Sequence, residues 1–365
     1  MKKLLKYFGA GVVTVLLMAV TATGILRFYW QRQTAARLRI SSAEGIHALE
    51  KIQLGGLEQW VPIRGQDSRK PVMLYLHGGP GFPEMPFSHL NAALERDFVV
   101  VHWDQRGAGK SYPILGAKPV MNVEQFVSDT RDLSLWLRQR LGAKKIYLVA
   151  HSWGSMFGAL TVARYPELFE AYVSLGQVAG LPQIQEVRYD FALHSAEQER
   201  NTKAVAELEK IGRPPHQNFD TCRIMEKWVD YYAAREHRGV SRGKWVGLAF
   251  RSPDYSWLDC VRIPLGFTFS FAQLWRELFY QTNLFDQASK LDVPVYFFVG
   301  RHDHVATARV AEQYFRALDA PRGKQLIWFE DSGHWPQLEE AQKYRDTLVN
   351  RVLKETRESS SGLNR

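Results

Sequence analysis

Ile146-Tyr147-Leu148-Val149-Ala150 is a short, unbroken apolar run, and His151-Ser152-Trp153-Gly154 follows it at once, before a stretch of small residues. A run of that length and uniformity suits a strand buried on both faces. The small residues beyond it suit a helix packed close against the sheet. A serine between the two stands on a sharp strand-to-helix turn with its hydroxyl lifted clear of the sheet. This juncture calls for a layered α/β architecture.

Four further motifs keep step with that reading. His77-Gly78-Gly79-Pro80-Gly81 follows an apolar run at 72–76, and Asp104-Gln105-Arg106-Gly107-Ala108-Gly109-Lys110-Ser111 follows another at 98–101. Gly300-Arg301-His302-Asp303 comes after 295–299, and Ser332-Gly333-His334 after 326–329. A serine hydroxyl is a weak nucleophile at neutral pH and needs a positioned base. His334 is the histidine delivered on the loop where a base belongs, and Asp303, at the end of its strand, is the acid that would orient it. Asp292 and Asp331 are the alternatives for that acid. Glycines at 78 and 79 let a backbone N–H approach a developing oxyanion, so Gly79 and Trp153 are the expected donors. His151, His302 and His304 read as structural or pocket-lining. His102 and Asp104 read as a brace for their loop, with Arg106 tying backbone carbonyls.

The order serine, aspartate, histidine along the chain is that of the α/β-hydrolases. The glycine loop, the Asp104-Gln105-Arg106-Gly107 segment and the Ser152 turn together resemble the proline iminopeptidase family of that fold, over residues 72–178 and from 293 onward. The resemblance implies an α/β-hydrolase fold, a mostly parallel sheet with a helical cap insertion. It also implies Ser152, Asp303 and His334 as the triad, Gly79 and Trp153 as the oxyanion hole, and neither metal nor organic cofactor. Members of that family hold the substrate's amine with cap glutamates, one of them in a Trp-Glu pair. Here the corresponding stretch is Lys227-Trp228-Val229-Asp230, leaving Glu226, Asp230 and Glu236 as substitutes. The expected activity is cleavage of an ester or amide of a small molecule or short peptide through an acyl-enzyme on Ser152. Release of N-terminal proline is the alternative, and an inactive binding protein on the same scaffold is a further one.

Strand and helix signals alternate except across about a hundred aromatic-rich residues. The expected organisation is therefore an anchor and linker at 1–40, a first core segment at 41–180, a cap at 181–287, a second core segment at 288–356 and a flexible tail at 357–365. A hairpin is expected about Gly55-Gly56, and a helix at 123–141 opened by Asn122 and stopped at Gly142. Seven rings, Trp228, Tyr231, Tyr232, Trp245, Phe267, Phe269 and Trp275, are expected in the cap, fewer than half of them over the serine.

The net charge of +9 invites a nucleic-acid partner, but seven of the excess cations precede the first acidic residue, Glu44. They flank an apolar run at 8–26, which approaches the length of one transmembrane helix. Membrane lipid is thus the expected partner, and nucleic acid is not. Lys2, Lys3 and Lys6 favour a single-pass anchor with the catalytic body outside the cytoplasm. A cleaved signal, giving a secreted or periplasmic enzyme, is the alternative. Cys222 and Cys260 are open to one disulfide or to two free thiols, and oligomeric state is not legible.

Overall fold

The computed structural model describes residues 2–116, 118–216, 219–240 and 242–362. Eight strands form one sheet: β1 (Ile46–Leu54), β2 (Leu57–Gly65), β3 (Val72–Leu76), β4 (Val99–His102), β5 (Ile146–His151), β6 (Phe169–Leu175), β7 (Val295–Gly300) and β8 (Lys324–Phe329). Their spatial order is β1-β2-β4-β3-β5-β6-β7-β8. β1 and β2 are the hairpin about Gly55-Gly56 and run antiparallel, as do β2 and β4. From β4 to β8 every pairing is parallel.

All residues of β3, β5 and β7 are buried, as strands covered on both faces must be. Their side chains alternate between two cores. Leu74, Leu148 and Phe297 join the core that includes α2 (Val123–Leu141) and α3 (Trp153–Arg164), while Tyr75, Val149 and Phe298 join Tyr344 and Leu348 on the other face. α2 starts as expected, with the Asn122 side chain accepting from Gln125 N at 2.7 Å, and stops at left-handed Gly142.

Between β6 and β7 the alternation gives way, among the described residues, to six helices, α4 (Leu181–Gln198), α5 (Thr202–Ile211), α6 (Phe219–Glu236), α7 (Arg242–Arg251), α8 (Trp257–Tyr280) and the single turn α9 (Leu284–Gln287). Tyr189, Leu208, Met225, Trp228 and Tyr232 give α4, α5 and α6 a small core of their own.

Three expectations are corrected by packing. The polar stretch after the apolar run is not a linker, because helix α1 (Lys2–Arg37) continues through it. Gly24, Arg27, Gln31, Thr34 and Leu38 form its protected stripe at helical spacing. From that stripe Arg27 Nη2 donates to Tyr255 O at 2.6 Å and Gln31 Nε2 to Ser252 O at 2.6 Å. The tail is helical from Lys354 to Gly362 rather than loose from residue 357, since Val352, Leu353 and Thr356 are seated in the core just before it. Residues 363–365 of the expected tail lie outside the described residues. The two alternatives for the cysteines resolve to free thiols at Cys222 and Cys260, with no expectation overturned. Arg106 reaches the carbonyls of Val120 and Gly55, but its main partner is buried Asp129, whose oxygens also accept from Gln59 and Gln125.

Candidate functional site

The motifs converge where the parallel strands end, since each sits on the loop leaving the carboxyl end of its strand: β3, β4, β5, β7 and β8. A crevice outside those ends is where open α/β sheets hold ligands.

Ser152 occupies φ 53°, ψ −119°, a conformation L-residues avoid, and it opens α3 without capping it. The turn is held by a bond from Ser152 N to Leu175 O at 2.9 Å and by Ser155 Oγ donating to Ser152 O at 2.6 Å. Its sharpness brings the loop after β3 close overhead. A Cβ on Gly154 would meet Leu76 O at 2.5 Å, so that position needs glycine, and one on Gly78 would lie a tight 3.1 Å from that of Ser152. Among the described residues, neither Gly79 N–H nor Trp153 N–H donates to a backbone acceptor.

Asp303 and His334 are brought together directly, with His334 Nδ1 2.9 Å from Asp303 Oδ2. The other oxygen, Oδ1, accepts from Val305 N at 2.8 Å and Ala306 N at 3.0 Å. Burial pushes the Asp303 carboxyl up, yet the His334 ring and these two N–H donors outweigh it and hold the group below its ordinary range. The rival acids lie elsewhere: Asp331 is exposed, and Asp292 meets Arg322 on the surface.

The loops are stitched by residues whose roles are local. Burial lowers the His77 ring to about 4, so it is neutral near pH 7. Its Nδ1 donates to Gly78 O at 2.8 Å and its Nε2 accepts from Gln105 N at 3.2 Å. The Gln105 side chain donates to His77 O and accepts from the Trp153 indole, so the segment at 104–107 clasps both the glycine loop and the serine turn.

Sequence reasoning missed two acids. Glu84 is buried five residues past Gly79, and its Oε1 accepts from Gly78 N at 3.2 Å and meets His151 Nδ1 at 2.7 Å. The opposite nitrogen of that ring reaches His334 O at 2.9 Å, so His151 links the glycine loop to the histidine loop. Burial raises the Glu84 carboxyl, but His151, His77 and the Gly78 N–H leave it below the ordinary range. The second acid, Glu339, accepts from the N–H groups on either side of His334, those of Gly333 at 3.0 Å and Trp335 at 3.2 Å. The adjacency of Glu84 to the glycine motif was a usable signal; nothing in the sequence marked Glu339.

The cap carboxylates considered as amine ligands are engaged with protein cations and imidazoles. Glu226 takes both Nη atoms of Arg188, and Glu236 spans His302 Nδ1 at 2.8 Å and His304 Nε2 at 2.9 Å. Asp230 also has a protein partner. Of the seven rings expected in the cap, Trp228 stacks on Tyr232 and both meet Tyr231 edge-on, Phe269 packs on Tyr112, and Trp275 on Phe279. Trp245 and Phe267 instead meet Phe82, beside the glycine loop, and Trp245 also packs on Trp335 at 4.3 Å between ring centroids. Trp335 in turn lies 4.1 Å from the His151 ring.

Known proteins resemble this chain in sequence and fold. The alpha/beta hydrolase fold family matches residues 71–242. A probable aminopeptidase of Bacillus subtilis is 30% identical over 317 residues, covering 85% of this chain and 97% of the relative. The chain belongs to the α/β-hydrolase family. A proline iminopeptidase of Lactobacillus helveticus is 24% identical to this hydrolase over 80% of its length and 94% of the relative's. Among solved structures, a proline iminopeptidase of Mycobacterium smegmatis superposes with a TM-score of 0.62 at 19% identity, covering 86% of this hydrolase and all of that chain. A membrane phospholipase A superposes with a TM-score of 0.60 at 18% identity, covering 98% of this hydrolase and 99% of that chain. The hydrolase thus has an α/β-hydrolase fold with proline iminopeptidase-like relatives, and one N-terminal helix long and apolar enough to cross a membrane.

Proposed function

We propose that this enzyme is a serine hydrolase working through an acyl-enzyme on Ser152. Ser152 Oγ attacks the substrate carbonyl while His334 takes its proton, and Asp303 holds the ring in the tautomer that can do so. The N–H groups of Gly79 and Trp153 stabilise the tetrahedral oxyanion, the second helped by its place at the start of α3. His334 then protonates the leaving group; water, deprotonated by the same base, attacks the acyl-enzyme, and His334 returns the proton to Ser152 Oγ as the acid leaves. The observation that carries this reading is the Asp303–His334 bond at 2.9 Å, on a loop that His151, the chain neighbour of Ser152, reaches through His334 O.

The substrate favoured is an uncharged acyl ester or amide. The relatives' names favour an N-terminal proline amide, but a free amine needs an unpaired carboxylate, and Glu226 and Glu236 are engaged. The rings of Phe82, Trp245, Phe267 and Trp335 suit an apolar group. Lys2, Lys3 and Lys6 support α1 as a single-pass anchor with the catalytic body outside the cytoplasm. The test is the acid. Asp303→Asn lowers kcat on an aryl ester by roughly 10⁴ if the behaviour of serine proteases transfers. Asp331→Asn leaves it unchanged, and the reverse pattern would overturn the assignment.

A further inference from the structure

Helix α8 is amphipathic in the wrong sense for a helix facing water. Over its first four turns its exposed stripe is Leu258, Val261, Pro264, Leu265, Thr268 and Ala272, with no charge among them; exposed Gln273 and Arg276 end it. Leu258 and Val261 are each 52% exposed and Leu265 43%. The charged residues in the first half of the helix point inward. Asp259 is buried, receives Lys110 Nζ at 2.7 Å and also holds Arg262 at 2.6 Å. A surface helix ordinarily does the opposite, and a contiguous exposed apolar face marks an interaction site.

What covers the face is indicated by its neighbour. The stripe begins at Trp257, which is 52% exposed and carries the guanidinium of Arg27 4.4 Å above its ring. Arg27 directly follows the apolar run at 8–26 in α1. Trp257 therefore stands level with the end of that run, where tryptophan and arginine gather at a bilayer surface. Helix α7 adds Val246, 70% exposed, and packs Phe250 against Trp30 of α1. Exposed Arg32, over Phe28, and Arg251, over Trp30, flank the same junction and suit anionic headgroups.

The opposite face of α8 rests on the candidate site. A Cβ on Gly81 would meet Gly266 O at 2.6 Å and Ser270 Cβ at 2.7 Å, and Phe267 meets Phe82. One helix thus separates the glycine loop from the outward apolar stripe. We infer that the outer face of α8, with Val246, is seated in the interface of an anionic bilayer beside α1, and that the site takes acyl amphiphiles from that bilayer. The second half of this statement rests on the proposed hydrolase activity; the first does not.

The test uses the full chain, one copy per nanodisc of phosphatidylcholine and phosphatidylglycerol. Spin labels are placed singly at Leu258→Cys, Val261→Cys and Leu265→Cys, with Cys222 and Cys260 replaced by Ala. A control label is placed at Arg322→Cys, by the amino-terminal ends of β7 and β8. The α8 labels should collide more with oxygen than with a water-soluble nickel chelate, and the control the reverse. Nickel accessibility equal to the control's, or protection that needs two copies per disc, would overturn the seating. For delivery, Leu258→Asp/Val261→Asp/Leu265→Asp should lower hydrolysis of a disc-embedded acyl ester by about tenfold while leaving a soluble short-chain aryl ester within about twofold. An equal loss on both esters would overturn delivery from the bilayer. If neither ester is cleaved by the parent and Ser152 is unreactive, the hydrolase reading and delivery fall together, while the spin-label result still decides the seating.

Discussion

The guanidinium of Arg188, on α4, clasps the carboxylate of Glu226, on α6, through both Nη atoms, and buries itself in doing so. A carboxylate held in that way has already spent its charge on the protein. Aryl esters should therefore exceed proline arylamides in kcat/KM once each rate is divided by its uncatalysed hydrolysis. Glu226→Gln should leave the ester rate within about threefold, as loss of a group outside the reacting centre does. A normalised preference for the proline amide, lost in Glu226→Gln, would show that the cap binds an amine after all.

The serine turn stores strain that the protein tolerates for the sake of the hydroxyl's position. At φ 53°, ψ −119°, a side chain costs about 1–3 kcal/mol, of which glycine returns part as unfolded-chain entropy. Ser152→Gly and Ser152→Ala should both be inactive, but the glycine variant should be the more stable by about 1 kcal/mol in denaturant titration. A glycine variant no more stable than the alanine one would mean the turn is unstrained.

Asp104 gives the stability a pH dependence of unusual sign. Burial is the largest influence on it and outweighs the bonds from Tyr255 and Lys110, raising the carboxyl from 3.8 to about 7. Between those values the folded protein keeps a proton that the unfolded chain gives up, so stability falls as pH rises through that window and levels above it. Asp104→Asn cannot lose that proton. Its thermal midpoint should gain on the parent's between about pH 5 and about pH 8. A difference that stays constant across that range would contradict the shift.

Much of this was legible because it is local. Ser152, His77 to Gly81 and the 123–141 helix each declare themselves within a few residues, through a strand run, a glycine cluster or a cap. Asp303 and His334 were legible from their places after β7 and β8, since the parallel sheet delivers both loops to one edge. What stayed hidden depends on which helix packs where. Arg188 and Glu226 lie 38 residues apart and meet only because α4 and α6 pack together. Likewise the polar residues after the apolar run read as a linker, because nothing nearby says that Arg27 and Gln31 will find carbonyls more than two hundred residues on.

That docking changes what truncation does. Removing residues 1–39 would strip the Ser252 and Tyr255 carbonyls of Gln31 and Arg27 and uncover Phe250 and Trp257. Each lost bond is worth about 1 kcal/mol. A chain starting at Gly24 should keep the thermal midpoint of the full protein in detergent, and one starting at Ile40 should unfold several degrees lower. Equal midpoints would show that α1 contributes nothing to the cap.

The most direct measurement is covalent. Incubation with a fluorophosphonate and peptide mapping by mass spectrometry should find a single adduct on Ser152, formed more slowly in Asp303→Asn and absent in Ser152→Ala. An adduct on another residue, or labelling undiminished in Ser152→Ala, would contradict the account.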